Sequence, residues 1–427
     1  MYTALQEIVK GRALARKGNI APYYSNKTRN NRQEPKMISE GMLDTLFANQ
    51  FRRESSCLVV SPGRTELCGN HTDHNRGKVL AAAIDLAKTA AVAPRDDMRV
   101  EIITEGLPER VDLIIDDDKP REEEKGTSSA LVRGVIAALR RKGFKAAGFS
   151  AFVRSGVALG SGLSSSASFE VLIAKIISRL FNNDTIDPLT MALAGQEAEN
   201  RFFGKPCGLM DQIACSYGGI VSVDLEYPEK PIIESVDFSF YDHGYTLAVI
   251  HTGGSHADLT GDYAAVPQEM EAVARFFGKT ACRQLSRNQL FEELSSLRKA
   301  VGDRAILRAL HFFNENARVT EATEALKKGN MQEYLSIIRA SAKSSRDLLQ
   351  NIYSPSKPEE QNISMALALA EELLGNDGAC RVHGGGFAGT IQAYVPNERF
   401  SFFRERMEHY QGKGSVTPIL ISSTGEC

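Results

Sequence analysis

Gly156-Val-Ala-Leu-Gly-Ser-Gly-Leu-Ser-Ser-Ser-Ala-Ser168 lies between a short apolar run, Phe149 to Val153, and a strongly apolar stretch at helical spacing, Ser166 to Leu180. The flanks predict strand, loop, then helix. Gly160 and Gly162 permit backbone conformations that other residues resist. Ser164, Ser165 and Ser166 place hydroxyls beside the free N–H groups of the helix start. N–H groups, hydroxyls and helix dipole then converge on one point, a natural anion site. The alternative is a flexible loop ending in a serine cap. The Gly-x-x-x-x-Gly-Lys-Ser/Thr phosphate loop is excluded, because no lysine sits at the required place.

Upstream, Ser61 to Leu80 carries Arg64, Glu66, Asn70, His71, Asp73, His74 and Asn75 between two apolar runs. Cys57 to Val60 reads as a strand that ends at the turn signal Ser61-Pro62-Gly63. So many directional hydrogen-bonding groups suit a polyhydroxylated ligand. A polar surface turn is the plainer alternative. A metal set of His71, Asp73 and His74 is a weaker one, since neighbouring side chains on a strand point apart. Downstream, Gly208-Leu-Met-Asp-Gln212 sets one carboxylate, Asp211, in an apolar stretch, either as a helix cap or as a working group. Gly384, Gly385, Gly386 and Gly389 form one turn, structural or close to a ligand.

Other patterns give the frame. Leu43, Leu46 and Phe47 fall at helical spacing. Val79 to Ile84 and Thr89 to Ala93 are expected strands, and Val100 to Ile103 with Val111 to Ile115 an expected strand pair. Asp116 to Lys125 reads as a solvated charged loop. Ser128 to Arg141 and Met191 to Phe203 are expected helices, closed by Gly143 and Gly204. Beyond a change of texture near 225–245, Thr246 to Ile250 and Thr390 to Val395 read as strands. Helical stretches fall around 265–277, 304–329, 331–352 and 361–374. Strands and helices mix without strict alternation, which favours two α+β domains. The expected division is an extension over 1–40, with Asn26 to Pro35 as linker, then domains over 41–230 and 231–427.

Composition bounds the function. The chain has 427 residues, enough for two or three domains at about 150 residues each. Lysine and arginine total 51 and acids 53, a net charge of −2, which excludes a generally basic nucleic-acid binder. A hydrophobic share of 42% excludes wholesale disorder. No apolar run reaches the roughly 18 residues of a membrane span. Met1 to Ile20 has no signal-peptide apolar region. The seven cysteines are scattered with no Cys-x-x-Cys pair, as reduced thiols of a cytoplasmic protein would be.

Together these segments resemble the GHMP small-molecule kinase superfamily and, within it, the galactokinases. The resemblance spans about residues 42 to 396. Its first motif appears as Pro62, Gly63, Arg64, Leu67, Gly69, His71, Thr72, Asp73 and Asn75. The phosphate loop appears from Ala158 to Ala167, the Cys-Gly-Ile-Met-Asp-Gln motif from Cys207 to Gln212, and the glycine motif from His383 to Gly389. Four motifs in order are far more specific than any one.

The resemblance implies phosphorylation of a sugar, taken as galactose, at its anomeric hydroxyl by ATP with Mg2+. Asp211 matches the catalytic base and Arg64 its support. Gly160, Ser161, Gly162, Leu163, Ser164, Ser165 and Ser166 match the ATP phosphate loop. Ser166 and Glu199 match magnesium ligands. Asn70, His71, Thr72, Asp73 and Tyr263 match sugar-binding positions. The implied fold is a two-domain α+β GHMP kinase, an N-terminal domain with a left-handed βαβ unit and a ferredoxin-like C-terminal domain, with the site between them. The implied partners are sugar and ATP, with no nucleic acid or membrane, in a monomer or weak dimer. An ionised Asp211 beside Arg64 could accept the departing hydroxyl proton.

The departures cluster around the sugar. Asn70 replaces a family Glu associated with the C6 hydroxyl, Glu66 a family Asn, and His74 a family Tyr. Ala158 replaces Pro, His383 Thr, and Ala388 Gly. Tyr263 lacks the basic pair that usually follows it. Loss of the Glu at 70 raises galacturonate as an alternative substrate, with N-acetylgalactosamine or another sugar beside it. A non-catalytic sugar sensor and a kinase of mevalonate or homoserine type are further readings.

Overall fold

The structure, a computed structural model, describes residues 40–156, 165–254 and 259–422. The expected extension and linker before residue 40, and Gly160, Ser161, Gly162, Leu163 and Ser164 of the phosphate loop, lie outside the described residues.

Leu43 and Phe47 are buried on helix α1 (Glu40–Phe51), as their spacing predicts. The first sheet holds β1 (Cys57–Cys68), β2 (Lys78–Pro94), β3 (Arg99–Thr104), β4 (Arg110–Ile114), β5 (Phe149–Ser155), β6 (Ile220–Asp224) and β7 (Ile232–Val236). Its order is β4-β3-β5-β2-β6-β7, with β1 paired to β2. The sequence expectation of a turn at Ser61-Pro62-Gly63 fails here. β1 runs on through it, and the register against β2 shifts between Pro62 and Gly63. Pro62 is tolerated because β1 is an edge strand, where a missing N–H breaks no ladder bond. Likewise the two strands expected over 79–93 are one long β2. Arg64 and Glu66 therefore sit on a strand, not in a loop.

Helices α2 (Ser128–Arg141), α3 (Ser165–Phe181), α4 (Pro188–Glu197) and α5 (Met210–Tyr217) accompany this sheet. Leu131, Val135, Leu172, Ile176 and Met191 pack with Val59, Val92, Val100, Phe149 and Val153 in one core. Burial of these aliphatic faces drives the packing, at roughly 25 cal/mol per Å² of apolar surface. Thr127 and Asp187 cap α2 and α4 through their side-chain oxygens. The charged 116–125 segment is not wholly solvated. Glu124 makes a two-point ion pair, at 2.7 Å for each contact, with Arg133 of α2, which is fully buried. A buried guanidinium demands such a partner.

The second sheet comprises β8 (Tyr245–His251), β9 (Ala379–His383), β10 (Thr390–Pro396) and β11 (Val416–Ile419), in the order β11-β8-β10-β9. By chain order that is 4-1-3-2, the ferredoxin-like arrangement. Helices α6 (Thr260–Phe276), α7 (Arg287–Glu292), α8 (Leu294–Val301), α9 (Asp303–Lys327), α10 (Met331–Ser344), α11 (Asn362–Leu374) and α12 (Phe400–Gln411) complete the chain. Val319, Leu326, Leu335 and Ile338 of α9 and α10 share a core with Leu67 and Leu80 of the first sheet and Leu247 and Tyr394 of the second. The expected division at 230 falls just before β7, whose pairing with β6 keeps 232–236 in the first sheet. Two expected helices end early in π turns, Ala198–Phe203 after α4 and Ser345–Leu349 after α10.

Candidate active site

Arg64 leaves β1 on the side facing α5. Its Nε donates to Asp211 Oδ1 at 2.6 Å and its Nη2 to Oδ2 at 2.9 Å. Burial works against the Arg64 charge, but the Asp211 carboxylate outweighs it and holds the guanidinium above its ordinary value. Asp211 is not the helix cap. It lies in the first turn of α5, after Leu209, with its side chain 30% exposed against 7% for Arg64. One carboxylate is thus gripped by a planar fork while its side chain stays partly exposed.

Beside it stands a second acidic group. Glu199 projects from the π turn that follows α4, a widened turn of the kind often found at functional sites. Its Oε1 accepts from Ser166 Oγ at 3.3 Å and meets Lys205 Nζ at 3.2 Å. Its Oε2 accepts from Gln212 Nε2 at 3.2 Å, and the same amide donates to Glu170 Oε2 at 2.9 Å. Burial first, then the Glu199 charge, push the Glu170 carboxyl well above its ordinary range. Glu170 Oε1 and Gln212 Oε1 are buried without a hydrogen-bond partner among the described residues. A hydroxyl and a carboxylate converging at the start of α3 are hard oxygen donors. They suit magnesium, which usually keeps few protein ligands and completes its shell with phosphates and water.

The sugar-motif residues close a tight corner. His71 has a left-handed backbone, φ 58°, and its Nε2 meets Gly385 O at 2.8 Å. Burial, with the His74 charge beside it, drives the His71 imidazole down to about 3. Thr72 Oγ1 lies within bonding distance of Gly69 O at 2.8 Å and Lys78 O at 2.5 Å, locking the corner. Asp73 presses its carboxylate against Gly208, where any Cβ would collide with it. The first motif and the Asp211 motif are therefore in contact. Tyr263 donates to Gly386 O at 2.7 Å, and its ring occupies the space a Cβ at Gly385 would need. His71, Asp73 and His74 do not form a metal set, since no group of three or more His, Cys, Asp or Glu converges to hold a metal among the described residues.

Asn70 is placed differently from what a sugar contact suggests. It is fully buried. Its Nδ2 lies 3.2 Å from both Glu66 oxygens and donates to Gly384 O at 2.7 Å, while its Oδ1 accepts from Asn351 Nδ2 at 2.8 Å. Glu66 in turn pairs with the buried Arg381. The carboxylate missing at position 70 thus lies one hydrogen bond away, on Glu66, neutralised by Arg381. His383 links Thr65 and Thr390, each at 3.0 Å. Sequence reading missed Lys205, Glu170, Asn351 and Arg381. Lys205, two residues before the Cys207 motif, could have been flagged by position. Asn351 follows a helix end and carries no local signal.

Among known proteins, residues 45–94 match the galactokinase galactose-binding signature and 130–219 the GHMP kinases N terminal domain. A galactokinase of Glaesserella parasuis is 34% identical over 388 residues, covering 89% of this chain and 96% of that protein. The chain belongs to the galactokinase family. A galactokinase of Actinobacillus pleuropneumoniae is 33% identical over 84% of this chain and 90% of its own. Galactokinase membership extends to three dimensions. The Lactococcus lactis galactokinase solved with galactose superposes with a TM-score of 0.77 at 26% identity, over 90% of this chain and 98% of that one. A Methanococcus jannaschii mevalonate kinase, at TM-score 0.61 and 16% identity, shares the fold alone. The expected GHMP kinase fold is the one observed.

Proposed function

We propose that this galactokinase-family chain transfers the γ-phosphoryl group of ATP to the anomeric C1 hydroxyl of galactose, giving galactose 1-phosphate and ADP. The observation that carries the reading is the Arg64–Asp211 fork, set beside Glu199 and Ser166. Asp211 accepts or orients the C1 hydroxyl proton, and Arg64 holds both its oxygens so that the carboxylate cannot rotate away. Ser166 and Glu199 would hold magnesium, which neutralises phosphate charge when bound. Ser165 and the other phosphate-loop residues, Gly160 to Ser164, would cradle ATP. His71, Thr72, Asp73 and Tyr263 shape the sugar side, with Asn70 behind them. Phosphoryl transfer asks mainly for positioning and charge compensation, which these groups supply.

Two domains, read as 41–230 and 231–427, flank the site, although β7 beyond that boundary belongs to the first sheet. A cytoplasmic setting accords with the scattered cysteines, and no helix among the described residues is long and apolar enough to cross a membrane. The galacturonate alternative rested on relief of repulsion at Asn70. That amide instead turns inward to Glu66, Gly384 and Asn351, and the curated relatives are galactokinases, so galactose is favoured over galacturonate.

The test is ADP release with ATP and magnesium across galactose, galacturonate, N-acetylgalactosamine, arabinose and glucose, with Asp211→Asn as control. Turnover of galactose that the control loses supports the reading. Turnover of galacturonate without galactose, or of no sugar, would sink it.

A further inference from the structure

Lys205 is a residue of this site that neither sequence pattern nor the reaction described so far accounts for. It follows Gly204, which closes the π turn with φ 87°. Its side chain is 65% exposed, yet its ammonium rests 3.2 Å from the Oε1 of Glu199, whose side chain is only 4% exposed. An exposed lysine paired with an exposed acid is commonplace and worth little. Here the acid is buried, and a buried carboxylate requires a countercharge. The surroundings add to the demand. Glu199 shares Gln212 with the buried Glu170, and Asp211 lies on the next helix. Among the described residues, Lys205 is the cation in ion-pair contact with Glu199.

The contact atom matters. Glu199 Oε1 is also the oxygen that meets Ser166 Oγ, so the lysine stands on the atom that a divalent cation would take. Two cations cannot share one carboxylate oxygen without repulsion. A long, mostly exposed side chain can move, whereas the buried Glu199 cannot. Its ammonium has three donors and no acceptor, so it must seek another anion nearby. In this site that anion is the polyphosphate of the nucleotide.

We infer that Lys205 is a phosphate-contact residue, an ammonium that stands on Glu199 and moves to the phosphate oxygens of ATP once a metal takes that carboxylate. The inference rests on the kinase reading above. It gives Lys205 two opposite effects: it competes with free metal and it assists bound nucleotide.

The test compares wild type, Lys205→Met and Lys205→Arg by equilibrium binding. The probes are β,γ-imido-ATP with magnesium, adenosine alone, and Mn2+ without nucleotide, the last read by electron paramagnetic resonance. Lys205→Met should weaken β,γ-imido-ATP about tenfold, the size of one charge-assisted contact, while Lys205→Arg stays within about threefold. Adenosine affinity should not change. Mn2+ should bind Lys205→Met more tightly than wild type, because the competing cation is gone. A merely structural ion pair predicts no such opposition of sign. Equal affinity of wild type and Lys205→Met for both β,γ-imido-ATP and Mn2+ would overturn the inference. Failure of the wild type itself to bind β,γ-imido-ATP would instead overturn the kinase reading, and this inference with it.

Discussion

Arg64 grips both carboxylate oxygens of Asp211 across 147 residues of chain, with contacts of 2.6 and 2.9 Å. Strand β1 supplies one partner and the first turn of α5 the other. Because the guanidinium is a planar fork, it fixes the direction of the carboxylate as well as its charge.

Replacing the fork by a point charge should therefore cost rate before affinity. Arg64→Lys is expected to lower kcat about 100-fold while the KM for galactose changes less than about threefold, since misorientation penalises the transition state. Asp211→Asn should lower kcat by about 100- to 10,000-fold, the usual span for losing a positioned proton acceptor. Steady-state ADP release over a range of galactose concentrations reads both.

The two buried glutamates on Gln212 should behave oppositely. Burial and the Glu199 charge raise the Glu170 carboxyl and so favour its neutral form, which an amide imitates. Glu170→Gln should keep kcat within about threefold, because it preserves that form. Glu199→Gln removes a hard anionic oxygen, and the magnesium concentration for half-maximal rate should rise by about tenfold or more. A magnesium titration of the two variants distinguishes them, and equal responses would contradict the assignment.

Asn70 predicts a stability effect. Its amide sits between Glu66, Gly384 and Asn351, and its backbone carbonyl meets His311 Nε2 at 2.9 Å. Asn70→Asp would set a second carboxylate against Glu66 and the Gly384 carbonyl and remove the amide donor that both accept, leaving Glu66 with Arg381 alone. A loss of about 2–4 kcal/mol in urea unfolding is expected. Asn70→Asp paired with Glu66→Gln restores the donor and should recover part of that loss.

Stability should also fall on mild acidification. Burial lowers the imidazoles of His71, to about 3, and of His311 and His383. Their folded-state values lie below the ordinary value near 6.5, so below that pH the unfolded chain binds protons that the native chain refuses. Each can contribute up to about 1.4 kcal/mol of loss per pH unit between about 6.5 and its own depressed value. Glu170 acts in the opposite sense, since its raised carboxyl favours the native state at low pH. The urea midpoint should decline from about pH 7.5 to about pH 5, with a shallower slope for His71→Asn.

Local pattern carried much of this fold. Helical spacing over 128–141 and 166–180, and the apolar runs at 149–153, 246–250 and 390–395, all correspond to elements. It failed where long-range pairing overrules local signals. Ser61-Pro62-Gly63 looks like a turn, but the bulged ladder with β2 carries the strand through it. The 191–203 and 331–352 stretches have helical periodicity throughout, and a period cannot reveal a π turn that tertiary packing imposes at its end.

The sequence by itself determined the motifs, their order and hence the family, because glycines, serines and charged residues at fixed spacing reflect local backbone demands that the chain writes down directly. Only the tertiary structure decided which of those groups meet. That Arg64 faces Asp211, that Asn70 turns inward to Glu66 and Asn351, and that Lys205 stands on Glu199 are matters of sheet register and helix placement. The Arg64–Asp211 and Asn70–Asn351 contacts join residues far apart in the chain, and the energies of all of them depend on burial, which no local stretch of sequence encodes.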